Sequence, residues 1–285
     1  MGVMLLKRKL TSFQIIILGF SGVILFGTFL LMLPFSSRSG LATPFSDALF
    51  TSTSAVCVTG LIIHDTATYW SAFGQFVILL LIQIGGMGVI TVAASFAMIS
   101  GRKISLMQRS TMQEAISAPK VGGIVRLTGF IVKVTLVVEL LCAAVMAPVF
   151  CRDFGKIGLW MALFHSVSAF CNAGFDLLGV RTPFSSLTSY AANPVINLTI
   201  MFLIVFGGIG FLTWDDIRTN RLHLRKYRMQ SKVILCTTAV LLIVPAMYFY
   251  FFEFADLTRK ERLLSSLFQA VTPRTAGFNT VELTD

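Results

Sequence analysis

Five long apolar segments constrain the folds open to this chain more than any other feature. Four of them carry no charge over 20 or more positions: residues 13–35, 66–101, 182–214 and 233–252. The fifth, residues 127–150, is interrupted by Lys133 and Glu139. An α-helix of about 20 apolar residues crosses the hydrocarbon core of a bilayer. The chain is therefore predicted to cross a membrane five times.

The overall composition agrees with this interpretation. Of the 285 residues, 55% are hydrophobic and 13% are charged, and the mean hydropathy is +0.82. Soluble domains carry roughly a quarter of charged residues. Because a water-soluble core cannot bury so much apolar surface, we interpret the chain as an all-α polytopic membrane protein.

The basic residues are distributed unevenly about these segments. With five alternating spans, residues 1–12, 101–133 and 215–232 fall on one side, and they hold 15 of the 23 lysines and arginines against three acids. The opposite side holds eight basic and nine acidic residues. The positive-inside rule therefore predicts a cytoplasmic amino terminus. The net charge of +10 is then a topology signal that faces anionic lipid, and we expect no nucleic-acid partner.

Signatures of enzyme chemistry are absent from the sequence. The five cysteines form no Cys-x-x-Cys pair, and His64, His165 and His223 are scattered. There is no Gly-x-Ser-x-Gly motif, no P-loop and no dinucleotide fingerprint. We therefore expect neither an enzyme nor a bound cofactor.

One motif occurs three times along the chain. It reads "LFTSTSAVCVTGL" from Leu49, "LFHSVSAFCNAGF" from Leu163 and "LFQAVTPRTAGF" from Leu267. Each copy opens on Leu-Phe, passes through small hydroxylated residues and reaches a glycine, at Gly60, Gly174 or Gly277. The third copy is one residue shorter before its glycine. Repeats of this kind indicate a fold built from repeated units.

The surroundings of the motif repeat as well. The first two copies are each followed by an apolar run that contains Gly-Gly-x-Gly: Gly85, Gly86 and Gly88, and then Gly207, Gly208 and Gly210. The third copy is preceded by an apolar run, and no such run follows it before residue 285. The repeating unit is therefore a span, a short segment, a glycine loop and a second span.

The short segments before the three glycines are predicted to be re-entrant. Residues 44–55, 157–171 and 260–272 are too short to cross about 30 Å of hydrocarbon as helices. The flanking spans also require each segment to begin and end on the external side. We therefore predict a short helix that dips into the membrane, followed by an extended strand that returns.

Such loops have a specific chemical capacity. Non-helical backbone at membrane depth must be buried in protein or line a watery cavity. Several loops around one axis present a ring of carbonyl oxygens that can replace the hydration shell of a cation. Helices that point their carboxyl ends inward add partial negative charge. Glycine suits the turning point because it adopts a positive φ without a Cβ penalty.

The three copies, "TSAVCVTGL", "SAFCNAGFDL" and "TPRTAGFNT", resemble pore loops of the Trk/Ktr/HKT superfamily of potassium transporters, and the resemblance is closest to the bacterial Ktr-type membrane subunit. It implies four units around a pseudo-fourfold axis, of which this chain holds two complete units and part of a third. It also implies a potassium selectivity filter whose carbonyls come from Val58, Thr59 and Gly60, from Asn172, Ala173 and Gly174, and from Thr275, Ala276 and Gly277.

The same resemblance implies further properties of the protein. The expected function is potassium uptake across a bacterial inner membrane, with sodium as a possible second ion. Expected partners are the lipid bilayer, a second full-length subunit in a homodimer, and a cytoplasmic nucleotide-binding regulatory subunit. Because the second span of the third unit and the whole fourth unit are missing, we expect the chain to be truncated at its carboxyl end.

Three charged residues near the membrane or the loops have alternative interpretations. Glu139, in mid-span, should face the bundle, either as a structural bond or as part of the ion path. Asp176 is either an outer-mouth charge that concentrates cations or a loop acid solvated by water. Arg274 would repel potassium if it faced the axis, so we expect it behind the filter, paired with an acid such as Glu282.

The units of the chain follow from the repeat, in this order: cytoplasmic amino terminus 1–12, pore-loop repeat 13–100, cytoplasmic linker 101–123, pore-loop repeat 124–214, basic cytoplasmic linker 215–232 and partial repeat 233–285. The alternative class is a secondary transporter with broken helices and alternating access. Inverted repeats would favour that class. The first two copies instead begin on the same side with their segments in the same order, which favours a pore along the membrane normal.

Overall fold

The structure is a computed structural model of the chain. It describes residues 11–100, 104–116, 118, 122–221 and 223–281. The described residues form helices joined by loops, and their only β-bridge is an isolated contact between Ser37 and Trp70. The protein is an all-α polytopic membrane protein, as the sequence predicted.

The first unit begins with a membrane-spanning helix and a short helix. The span is α1 (Ser12–Met32), whose start is fixed by a capping box between Thr11 and Gln14. A 3₁₀ turn at Pro34–Ser36 leads to the short helix α2 (Phe45–Val56). After the first glycine loop come α3 (Thr66–Tyr69), α4 (Ala72–Met87) and α5 (Val89–Ile99).

The second unit repeats this order. A connecting helix, α6 (Leu106–Ile116), precedes the long span α7 (Ile124–Phe154), and the short helix α8 (Ile157–Phe170) follows it. The loop after α8 contains 3₁₀ turns at Leu178–Val180 and Thr188–Tyr190. The unit ends with α9 (Pro194–Gly208) and α10 (Phe211–Asn220).

The third unit begins after a 3₁₀ turn at Leu224–Lys226. Its span is α11 (Met229–Tyr248), extended by a π-helical turn at Phe249–Glu253. The short helix α12 (Arg259–Val271) follows and leads into the third glycine loop. In the described part of the chain, the returning segments of the three loops carry no regular strand, so the extended strands predicted from the sequence are not formed there.

The long apolar runs 66–101 and 182–214 are not continuous spans. In each, the third glycine of Gly-Gly-x-Gly adopts a positive φ, 83° at Gly88 and 85° at Gly210. The helix axis turns by 95° between α4 and α5 and by 94° between α9 and α10. Among the described residues, three helices are long and apolar enough to cross a membrane, and each bent pair adds one further candidate, up to five.

Candidate functional site

The three glycine loops share one backbone conformation. Gly60, Gly174 and Gly277 have φ values of 81°, 71° and 76°. Two residues before each glycine the φ is also positive, at 56° for Val58, 58° for Asn172 and 64° for Thr275. Non-glycine residues adopt this region infrequently, and a β-branched one such as Val58 or Thr275 does so at a conformational cost. The same costly conformation in three places indicates a shared structural requirement.

Each loop is bonded to the carboxyl end of the short helix before it. The N–H of Thr59 donates to the carbonyl of Ser54 at 2.8 Å, and that of Ala173 donates to Ser168 at 2.7 Å. In the third loop the N–H of Ala276 donates at 3.1 Å to Thr272, which is four residues back instead of five. The shorter third copy therefore loses its residue at the helix–loop junction. Its glycine keeps the same conformation.

A hydroxyl group at the base of the loop supports two of the three copies. Ser168 Oγ donates to the carbonyl of Phe175 at 2.6 Å, and Thr272 Oγ1 donates to the carbonyl of Phe278. Both acceptors directly follow the glycine of their loop. The equivalent Ser54 Oγ in the first copy is buried and has no partner among the described residues. This role was not predicted, although the hydroxylated residues that recur in the three copies of the motif indicated it.

The three loops approach one another in chain order. A Cβ built on Gly60 would lie 2.8 Å from the carbonyl oxygen of Ala173 in the second loop. A Cβ on Gly174 would lie 2.7 Å from the carbonyl oxygen of Ala276 and 3.1 Å from Gly277 Cα in the third loop. Side chains at these glycines would therefore overlap the backbone of the next loop. All three predicted filter segments come together in the structure.

A cleft separates the third loop from the first. It has a volume of about 710 Å³ and is lined on one side by Cys57, Val58 and Thr59. Its other side includes Thr275 and Gly277 of the third loop. The loops thus form an incomplete ring, with contacts from first to second and from second to third and an open cleft between the ends.

The Gly-Gly-x-Gly motifs lie where the spans pack against the short helices and the glycine loops. A Cβ on Gly85 would lie 2.1 Å from the carbonyl oxygen of Val56, at the end of α2. In the second unit, a Cβ on Gly207 would lie 1.9 Å from the carbonyl oxygen of Phe170, at the end of α8. The first glycine of each motif therefore lets a span contact the carboxyl end of its own short helix.

The second glycine of each motif lies next to the glycine loops: Gly86 faces the following loop, and Gly208 lies between the loop of its own unit and the following loop. A Cβ on Gly86 would lie 2.4 Å from Cys171 Sγ in the second loop. A Cβ on Gly208 would lie 3.4 Å from the side-chain amide of Asn172 in the second loop and 3.7 Å from an Arg274 nitrogen in the third loop. With the third glycine at the bend, each position in the motif has its own role. The motif was evident from the sequence, but the contacts of its individual glycines were not predicted.

Glu139 lies on α7 and is 2% exposed, so it faces the bundle as an intramembrane charge should. Its main-chain carbonyl accepts a hydrogen bond from Ser166 Oγ of α8 at 2.7 Å. Its Oε1 atom and Gln83 Nε2 are buried without a hydrogen-bond partner among the described residues. The backbone of Glu139 therefore holds the short helix of the second unit, while the role of its carboxyl group stays a prediction.

Asp176 is 8% exposed, and its Oδ1 accepts from the N–H of Leu178 at 2.9 Å. Burial raises the pKa of this carboxyl group to about 6. The interpretation as a water-solvated loop acid is therefore wrong, because the buried group braces the turn after Gly174. A role at an outer mouth stays a prediction.

Arg274 directly precedes Thr275 in the third loop; its side chain is half-buried, and one of its nitrogens lies 3.7 Å from a Cβ built on Gly208 of α9. Its Nη1 atom is buried and has no partner among the described residues. The partner suggested from the sequence, Glu282, lies outside the described residues. The pairing therefore stays a prediction.

Comparison with known proteins gives relatives along nearly the whole chain. It is 42% identical over 282 residues to the potassium/sodium uptake protein NtpJ of Enterococcus hirae, covering 97% of this chain and 61% of the relative. It is 39% identical to the Ktr system potassium uptake protein B of Bacillus subtilis and 36% identical to that of Vibrio alginolyticus. Those alignments cover 96% and 98% of this chain, and again 61% of each relative.

The chain thus spans about three fifths of the length of these relatives, and the similarity fits a Ktr-type membrane subunit. A family match covers nearly the same part of the chain. The model of the family described as TrkH, cation transport protein, matches residues 7–285. On that match and on the repeated loops of the structure, the chain belongs to the TrkH family of cation transport proteins.

Proposed function

We propose that this chain is the ion-translocating part of a potassium uptake system, and that its three glycine loops form walls of the selectivity filter. The observation that carries the proposal is the convergence of Gly60, Gly174 and Gly277, each with a positive φ and each at the end of a short helix. Backbone carbonyls around such a site would replace the hydration shell of a potassium ion.

The helix ends supply the electrostatic part of the proposal. The carboxyl ends of α2, α8 and α12 lead directly into the three loops. Each helix end carries about half an elementary negative charge, which favours a cation nearby. Potassium would therefore be held by oriented backbone dipoles without a carboxylate ligand, and sodium would compete for the same carbonyls.

The cleft between the first and third loops supports a four-sided filter. A fourth loop in that space would contact Thr59 on one side and Thr275 on the other, because both line the cleft. We propose that the complete pore contains such a loop, in line with the family resemblance. The names of the relatives, potassium/sodium uptake and Ktr system potassium uptake, support potassium and sodium as the transported ions.

The proposal includes location and partners. We propose a bacterial inner membrane location with a cytoplasmic amino terminus, since the basic connections cluster on one side of the spans. We also propose a homodimer of the full subunit and a cytoplasmic nucleotide-binding regulatory subunit. The unit boundaries given above remain part of this proposal.

Flux measurements on the full-length protein in liposomes test the mechanism. A filter passes labelled potassium or rubidium down its electrochemical gradient, so uptake should rise with an inside-negative potential. With the membrane potential clamped at a fixed value, unlabelled potassium on the inside should not accelerate uptake, because it then cannot set up a diffusion potential that draws labelled ions inward. A carrier with alternating access would show the opposite, namely acceleration by internal potassium, because the return step of the loaded carrier is faster. That acceleration would overturn the filter proposal.

A further inference from the structure

A cavity lined by arginines lies at the amino end of α7, away from the glycine loops. It has a volume of about 420 Å³ and is bounded by the start of α7 and by residues of α10 and the start of α11. We call it the arginine pocket. Its lining includes Gly122, Gly123, Arg126, Asp215, Arg218 and Arg228. Its position, in the segments rich in lysine and arginine, is the one predicted to be cytoplasmic.

The charges of the arginine pocket do not cancel. Arg228 donates to Asp215 at 2.8 Å and lies 3.5 Å from Asp216, so these two acids already have a partner. Arg126 and Arg218 form no ion pair within the described part of the chain. Three guanidinium groups therefore face two carboxylates, and the excess is positive.

Two of the arginines are fixed in orientation. The Arg218 guanidinium lies 4.5 Å from the centre of the Phe130 ring, a cation–π contact that restrains its plane. Arg228 is fixed by its two acids, and its Nη1 atom is buried without a partner among the described residues. A buried guanidinium donor left unpaired is costly, so an acceptor in the pocket would compensate it.

The backbone of α7 adds donors to the same cavity. This helix of 31 residues begins after Gly123, which has a φ of 84° and provides no side-chain cap. The N–H groups of the first turn therefore lack partners within the helix, and they carry partial positive charge. Within the part of the chain that the structure describes, a Cβ on Gly122 or Gly123 would meet no atom within 4 Å, so open space lies above this backbone.

We propose that the arginine pocket binds a phosphate group. Free N–H groups at a helix start suit an anion. Planar guanidinium groups suit the paired oxygens of a phosphate in particular. Arg126 belongs to α7 and Arg218 to α10, so one bound phosphate would connect the first and last helices of the span–loop–span repeat in the second unit. The phosphate can belong to an anionic lipid headgroup or to a soluble phosphate compound, and the two sources differ in their test.

The test uses the purified protein, stripped of bound lipid in detergent. Its melting temperature is followed during titration with phosphatidylglycerol, with phosphatidylcholine and, separately, with inorganic phosphate. The pocket variant is Arg126→Gln with Arg218→Gln. The control is Arg225→Gln with Lys226→Gln, which removes the same charge from exposed residues that do not line the pocket.

We expect phosphatidylglycerol to raise the melting temperature of the wild type and of the control. In the pocket variant, the lipid concentration that gives half of this rise should be at least fivefold higher. A response to inorganic phosphate, lost in the pocket variant, would support the site and assign it to a soluble compound. Equal responses of all three proteins, or no response beyond that to phosphatidylcholine, would overturn the proposal.

A milder variant guards against a folding defect. Arg218→Lys keeps the charge but loses the planar fork and the ring contact, so it should bind with intermediate strength. The proposal fails if the pocket variant is unfolded before any ligand is added and Arg218→Lys responds to phosphatidylglycerol as the wild type does. In that case the planar guanidinium group of Arg218 does not contribute to binding.

Discussion

Gly174 lies so close to Ala276 that a Cβ built on the glycine would fall 2.7 Å from the alanine carbonyl oxygen. That separation is below the van der Waals contact of carbon and oxygen. The two residues belong to neighbouring glycine loops, 102 positions apart in the chain. Because Gly174 also has a positive φ of 71°, both its conformation and its surroundings require the absence of a side chain.

The first prediction concerns Gly174→Ser in the full-length protein. The left-handed conformation costs a non-glycine residue about 1–2 kcal/mol, and the carbonyl of Ala276 must also move. Selectivity is a difference between two large binding energies, and about 1.4 kcal/mol changes a ratio tenfold. We therefore expect potassium-to-sodium selectivity to fall about tenfold, measured as reversal potential or as uptake from mixed ions.

Gly22→Ser is the matched control for that experiment, because an added Cβ at Gly22 of α1 meets no atom within 4 Å. Gly27 on the same helix is unsuitable, since its Cβ would lie 2.6 Å from Ser52 Oγ of the first short helix. Equal selectivity of the wild type, Gly22→Ser and Gly174→Ser at matched expression would remove Gly174 from the filter.

The second prediction compares two adjacent glycines of α9. A Cβ at Gly207 would overlap the carbonyl oxygen of Phe170, whereas at Gly208 the nearest atom belongs to the side-chain amide of Asn172, at 3.4 Å. Overpacking against backbone costs about 1–3 kcal/mol. Gly207→Ala should therefore lower the melting temperature in detergent by several degrees, while Gly208→Ala should leave it nearly unchanged. Equal effects of the two variants would contradict the assigned contact.

The short helices were predictable from the sequence to within one or two residues. Residues 44–55, 157–171 and 260–272 correspond to Phe45–Val56, Ile157–Phe170 and Arg259–Val271. Their length relative to the bilayer and the repeated motif were sufficient, because both constrain where a helix must begin and end. The convergence of the three loops also followed from the repeat, since equivalent segments around one axis must meet.

The bends at Gly88 and Gly210 were not predicted. Apolar residues continue on both sides of each bend, so hydropathy alone reads each run as one span. A glycine in such a run costs a helix only about 1 kcal/mol, and tertiary contacts decide whether the helix breaks there. The absence of a hydrogen-bond acceptor for Ser54 Oγ in the described structure was equally unpredictable, because it depends on where the backbone carbonyls of the folded loop lie.

The third prediction concerns Glu139→Gln, which keeps the shape of the side chain and removes its charge. The carboxyl group is buried, and Oε1 has no partner among the described residues. An ionised group in such a position costs free energy that an amide does not. We expect a higher melting temperature and an unchanged potassium uptake rate, because the contact to Ser166 uses the main chain. A fall in uptake at equal expression would instead place the carboxylate in the ion path.

The fourth prediction concerns topology and uses single cysteines in a background without native cysteines. Ser39 and Ser189 are exposed and lie on the side predicted to be external, whereas Ser105 and Thr219 are exposed on the opposite side. An impermeant maleimide added to whole cells should label the first pair only. Labelling of a cysteine at position 219 from outside would show that the orientation predicted from the basic segments is wrong. Prior permeabilisation controls for reactivity, because all four sites should then be labelled.

The last prediction compares two equivalent serines, Ser168→Ala and Ser54→Ala. Ser168 Oγ donates to the carbonyl of Phe175 at 2.6 Å, so the alanine variant leaves that buried carbonyl without its donor. An unsatisfied buried group costs about 1–3 kcal/mol. Ser54 Oγ is buried without a partner in the described structure, so its removal should cost nothing comparable. We expect Ser168→Ala to lower both the melting temperature and the potassium-to-sodium selectivity, and Ser54→Ala to preserve both. The two variants delete the same atom at the same position of the repeat, which makes each the control for the other. A larger effect of Ser54→Ala would show that the first loop, not the second, depends on this hydroxyl.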